Sequence, residues 1–219
     1  MIKYWYKNNG GNTLKQFFQK YSYRMVKLFV TQCVISLFGN VLALAGIGIE
    51  SKGLIIATGI FSIIFYLFLV YMSAWEVGSL DKPAIDGGRQ KFRLTTGLYI
   101  GLGANIPNFL FAIVHLALLP FSTTVEGAIS TISGLSRIIY MFINGMYTGI
   151  MSEGVFAEGF ALHNYWFMLF AITIPAIVIT MLAYAAGVKD FHLTRVLLPL
   201  NAEEQEIKRD KKREKDTIH

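Results

Sequence analysis

An all-α, polytopic helical membrane protein is the fold the sequence predicts, and three observations predict it. Hydrophobic residues form 54% of the 219 positions against 16% charged, a balance outside the soluble globular norm. The apolar residues gather in charge-free runs of the roughly 20 residues that a ~30 Å hydrocarbon core demands of a helix. Finally, the 20 lysines and arginines cluster at the two ends and in one internal segment instead of spreading over a soluble face.

The basic segment 1–27 carries Lys3, Lys7, Lys15, Lys20, Arg24 and Lys27. Interleaved with Phe17, Phe18, Tyr21 and Tyr23, these suit an interfacial amphipathic helix, starting near Thr13, that leads into the first span. The apolar run that follows is too long for a signal-peptide core and lacks a small-x-small cleavage site, so it reads as a retained helix. That first span is 28–49, ending at Glu50 and Lys52. The second, 53–75, follows so closely that only an antiparallel hairpin fits; its Phe61, Phe65, Phe68 and Tyr71 read as lipid-facing or packing residues.

Glu76 to Arg93 reads as a polar loop, with Pro83 and the turn-like Asp86-Gly87-Gly88. Asp81, Asp86, Arg89 and Arg93 are its candidate residues for docking a soluble protein partner; the plainer alternative is a solvated loop held against anionic headgroups. The third span, 95–120, has Pro107 near its middle and Pro120 at its end. The fourth, 165–187, opens on the aromatic cluster His163, Asn164, Tyr165 and Trp166, suited to headgroup level.

Residues 129–151 are the ambiguous stretch, apolar but punctuated by Ser130, Ser133, Ser136, Arg137, Asn144 and Thr148. Their apolar residues recur at helical spacing (Ile129, Ile132, Leu135, Ile139, Phe142, Met146), which predicts an amphipathic segment that lies on the outer face or re-enters the bundle. With four crossings, all the bases except Lys52 and Arg137 fall on the cytoplasmic side, in accord with the positive-inside bias. A fifth crossing would put the basic tail outside and is the alternative. The expected organisation is a cytoplasmic segment 1–27, a helical bundle 28–188 and a charged cytoplasmic tail 189–219. In the tail, Asn201 and Glu204 form a capping-box pattern and Glu204 with Lys208 an i, i+4 pair. Such a chain fits a bacterial cell membrane, with both termini cytoplasmic.

Function is less directly written. Gly97-x-x-x-Gly101 is a helix-packing motif, continued along one stripe by Ala104, Asn108, Ala112 and His115. Pro107 predicts a kink straining the turn around Gly103, flanked by Asn105 and Asn108, whose amides need partners inside the membrane; Gln32 and Asn40 of the first span could supply them. Asn40, Asn105, Pro107, Asn108 and His115 are therefore the candidates for a substrate site at a broken helix, the plain alternative being interhelical hydrogen bonding. Glu126, Glu153 and Glu158 make the outer segment acidic enough to attract cations, or are simply solvated.

Enzymatic patterns are incomplete. Ser133-Gly134 lacks the rest of a serine-nucleophile arrangement, and Asp86-Gly87-Gly88-Arg89 lacks the downstream aspartates that a metal-dependent phosphotransferase needs. Cys33 is the single cysteine, so there is no disulfide framework or sequence-local zinc site. No catalytic residue, metal or cofactor is assigned, and the basic pI is not arranged for nucleic acid. The expectation is a membrane-embedded component of a transport or export assembly. Alternatives are a structural or regulatory subunit recruiting a cytosolic partner and, third, an intramembrane enzyme with an unfamiliar site built from Glu76, Asp86 and His192. The bilayer is the expected surrounding, with an oligomer also open.

Overall fold

One unbroken helix, α1 (Gly10–Gly48), carries the chain from its basic segment into the first span. Its 39 residues extend about 58 Å at 1.5 Å per residue, well beyond a hydrocarbon core. The structure, a computed structural model, describes residues 10–122, 128–151 and 165–191. Glu126, Glu153, Glu158, His163, Asn164, His192 and the expected tail helix lie outside them. All the regular elements among the described residues are helical.

The described part of the basic segment, 10–27, is helical and continuous with the first span as the start of α1. The reason lies on α2 (Lys52–Asp86), which runs antiparallel to α1 and is as over-long as its partner. Arg24 and Lys27 reach Glu76 at 3.0 and 2.8 Å, and Lys20 reaches Asp81 at 2.7 Å. Residues 76–86, expected as loop, are therefore helix. Glu76 and Asp81 find partners on α1, so polarity there marks a helix–helix contact outside the hydrocarbon. Pro83 falls in the last turn, and the helix stops at Gly87, with Gly88 at φ 69° completing the turn.

The expected kink is present, but its position differs. α3 (Leu94–Ala104) and α4 (Ile106–Ser122) meet at Asn105 with a 51° bend. Pro107 sits in the first turn of α4, where a missing N–H costs little. Asn105 stands at the break with its side chain folded back onto α3, donating Nδ2 to Gly101 O at 2.9 Å.

After α5 (Ala128–Ile143) comes a 3₁₀ turn at Gly145–Tyr147, then α6 (Thr148–Met151), α7 (Met168–Ala171) and α8 (Ile174–Val188). α1, α2 and Met168–Val188 are each long and apolar enough to cross a bilayer, and the bent α3–α4 pair makes a fourth candidate when taken as one broken span. These contain the four charge-free runs of the sequence. A rind of exposed apolar side chains, among them Val41, Leu44, Ile64, Phe61, Leu110 and Leu182, covers the bundle as lipid contact requires.

Glycines set the closest approaches. A Cβ on Gly78 of α2 would stand 2.2 Å from Tyr184 O, and one on Gly187 of α8 would stand 2.1 Å from Trp75 O. Gly97 and Gly101 face α8 as well, where a Cβ would come 2.8 Å from Tyr184 Cβ and 3.1 Å from Ile177 Cα respectively.

The apolar stretch Thr131–Ile143 of α5 is too short to cross alone. Its faces are inverted relative to a surface helix: Ser133, Ser136 and Tyr140 are buried against the bundle, whereas Ile132, Leu135, Ile138 and Phe142 are exposed. An outer-face helix would turn its serines to water, so this element dips into the bundle. It descends beside α4, with His115 against Ser133 and Asn108 against Asn144. The chain then turns back: Gly145 lies against Ser36 and Asn40, and Gly149 lies against Ile55 and Gly59, in the first turns of α2.

Candidate functional site

Three carboxamides from three separate segments close a ring at the level of the helix break. Gln32 Nε2 donates to Asn144 Oδ1 at 3.0 Å, Asn144 Nδ2 to Asn108 Oδ1 at 3.2 Å, and Asn108 Nδ2 to Gln32 Oε1 at 3.2 Å. Each amide gives and receives one bond, the arrangement that leaves least polarity unmet where water is absent. Asn108 is 0% and Gln32 3% exposed. Remaining protons are used nearby, Asn108 Nδ2 reaching Asn105 Oδ1 at 2.9 Å and Asn144 Nδ2 reaching Tyr140 O at 3.0 Å.

One turn along α1, Ser36 and Asn40 serve the second interruption. Ser36 donates to Phe142 O and accepts from Gly145 N at 2.6 Å. Asn40 Oδ1 accepts from Thr148 Oγ1 at 3.0 Å. Gln32, Ser36 and Asn40, four residues apart, thus form one polar stripe that satisfies backbone released where α5 unwinds. Gly39 and Gly145 make the approach feasible, since a Cβ on Gly39 would lie 2.5 Å from Met146 Cα.

Of the residues singled out in the sequence, Asn105 and Asn108 come together at the ring, Pro107 lies between them in the first turn of α4, and Asn40 holds the following turn through Thr148. His115 stands apart. Its Nδ1 lies 3.1 Å from Ser133 O and 3.2 Å from Ser133 Oγ, two turns further along α4, where it joins α4 to α5. Sequence reasoning had Gln32 and Asn40 as partners but missed Ser36 and the closing role of Asn144. The four-residue spacing in α1 was the available signal for Ser36.

Two features distinguish the cluster from closed packing. Tyr147 Oη, in the 3₁₀ turn, is buried without a hydrogen-bond partner among the described residues. Beside Asn144 and Thr148 lies a cavity of about 20 Å³, with Arg137 also lining it, room for one water. Among the described residues no three His, Cys, Asp or Glu side chains are grouped for a metal ion, so what the cluster offers is neutral amide and hydroxyl chemistry.

The docking candidates divide. Asp81 is turned inward, held by Lys20, by Tyr21 Oη at 2.6 Å and by Tyr184 Oη at 3.0 Å. Asp86, Arg89 and Arg93 remain exposed. Glu76 is held by Arg24 and Lys27.

No protein family, curated protein or solved structure matches the chain. The site alone therefore carries the functional argument.

Proposed function

We propose that the protein is the membrane-embedded component of a transport or export assembly, set in a cell membrane with both termini cytoplasmic, and that the amide ring is the closed constriction of its polar path. The observation that carries this reading is the convergence of two interrupted helices, at Asn105 and at 144–147, on one buried polar cluster. Unwound backbone at membrane depth is characteristic of sites where a solute or ion is bound between broken helices. The unpaired Tyr147 hydroxyl and the water-sized cavity beside Asn144 support a path in preference to a plug. A path lined by amides and hydroxyls suits a small neutral or zwitterionic polar solute. The exposed turn with Asp86, Arg89 and Arg93 is the surface offered to a cytosolic partner.

A second reading has its own observation. Because the ring is closed, with all three amides bonded to one another, it would also serve as interhelical adhesive in a structural or regulatory subunit. Thiol accessibility separates the two. In a Cys33→Ala background, cysteines at Asn40 and Thr148 are treated in native membranes with a small impermeant thiol reagent, beside lipid-facing controls at Val41 and Leu44. The path reading expects Asn40→Cys and Thr148→Cys to react faster than both controls. Equal inertness at all four positions would leave only the packing reading.

A further inference from the structure

A second cavity has no part in the polar path. It is a cleft of about 480 Å³ between the start of α1 and the α3–α4 pair, walled by Phe17, Phe18, Tyr99, Leu102, Ile106 and Phe109. That volume falls in the range of roughly 300–1,000 Å³ typical of small-ligand sites. Apart from Thr95 and Thr96, polarity enters it at one end only, where Arg93 stands.

Arg93 differs from the bases around it by its place. Lys20, Arg24, Lys27 and Lys82 are each paired with an acid, whereas Arg89, Lys91 and Arg93 are exposed with no ion pair among the described residues, and of these three only Arg93 lines the cleft. A planar guanidinium left free at the mouth of an apolar cleft calls for an anion that accepts two parallel hydrogen bonds, as a phosphate does. Beside it, the exposed Thr95 hydroxyl adds a donor. From Arg93 the cleft follows α3, whose 11 residues span about 16 Å, close to one leaflet of a ~30 Å core. Tyr99 and Ile106 are exposed along its edge, so the cleft opens sideways, where a chain can enter from the bilayer.

We infer that this cleft holds one anionic phospholipid, its phosphate against Arg93 and one acyl chain along Tyr99, Leu102, Ile106 and Phe109. The charge at one end selects the headgroup, and the length and apolarity of the remainder select a chain. An annular lipid would need neither. The site is independent of the polar path and stands if that path does not.

The test uses the full chain purified in detergent with equal phosphatidylglycerol and phosphatidylcholine, counting retained lipids by native mass spectrometry. One phosphatidylglycerol should be held in preference. Arg93→Gln should lower that preference about fivefold, the worth of one basic residue at a lipid surface, while Arg89→Gln, the same charge lost outside the cleft, should not. Leu102→Trp, which fills the cleft, should release the lipid, and inorganic phosphate should fail to displace it. Arg93→Gln alters only an exposed side chain and stays informative should the tryptophan variant misfold. The inference is overturned if Arg93→Gln retains phosphatidylglycerol like the parent, if both lipids are held equally, or if phosphate displaces the lipid. A dimer that Leu102→Trp dissociates would overturn it too, assigning the cleft to a second copy.

Discussion

Asp81 is 4% exposed, and its carboxylate ties together α1, α2 and α8 through Lys20, Tyr21 and Tyr184. Its value lies less in the ion pair than in the tyrosines. The Lys20 side chain is 44% exposed and would be rehydrated if released, which limits that pair to about 1 kcal/mol or less. The two phenol hydroxyls, by contrast, would lose their acceptor in a buried place, each costing on the order of 1–3 kcal/mol. Asp81→Ala should therefore destabilise the bundle by about 3 kcal/mol. Asp81→Asn keeps an oxygen acceptor and should cost about half as much. Reversible unfolding in mixed detergent measures both; an Asp81→Ala midpoint equal to that of the parent would remove Asp81 from the role of buried tie.

Helix contacts follow the same logic of what can be left out. Where Gly78 and Gly187 bring α2 against α8, an added Cβ would meet backbone oxygen at 2.2 and 2.1 Å respectively, which cannot rotate away as a side-chain tip can. Gly187→Ala should force the pair apart at a cost of about 1–3 kcal/mol. Gly134→Ala, in α5 with nothing within 4 Å of the added carbon, should be neutral or stabilise by up to about 1 kcal/mol. Thermal unfolding of the two variants side by side measures the contrast, and equal melting temperatures would refute the close crossing. Neither effect could be read from the sequence, because Gly78 and Gly187 make no local motif; Gly97 and Gly101 do, and their packing stripe was legible. The four spans were legible for a similar reason, since charge-free length is a local property. What pairs with what is not local. Glu76 and Asp81 read as loop because their partners on α1, Lys20, Tyr21, Arg24 and Lys27, lie 49 or more residues away. Gln32 and Asn144, which close the ring, are separated by 112.

The re-entrant segment decides the plan of the whole molecule. Because α5 descends beside α4 and the chain turns back at 144–147, both ends of this stretch belong to the end of the bundle where α1 and α2 are joined. α8 then returns to the basic end, where Trp75 Nε1 donates to Phe191 O at 2.8 Å and Lys82 lies 3.5 Å from Asp190. With the bent pair as one span this makes four crossings, and the proposed orientation, which the positive-inside bias favours, puts Arg89 in the cytoplasm. A segment of this kind is stable in lipid only while the backbone freed at the turn is satisfied, which is the task of Ser36 and the neighbouring amides. The plan predicts labelling by an impermeant maleimide in intact cells carrying Cys33→Ala with one added cysteine. Lys52→Cys, at the hairpin end, and Tyr165→Cys, which precedes α7 on the hairpin side of the helix break, should both react from outside, whereas Arg89→Cys should react only after the membrane is opened. Were Tyr165→Cys protected together with Arg89→Cys, the stretch 128–151 would have to cross, α8 would run the other way, and the amide ring would join through-spanning helices instead of a re-entrant turn.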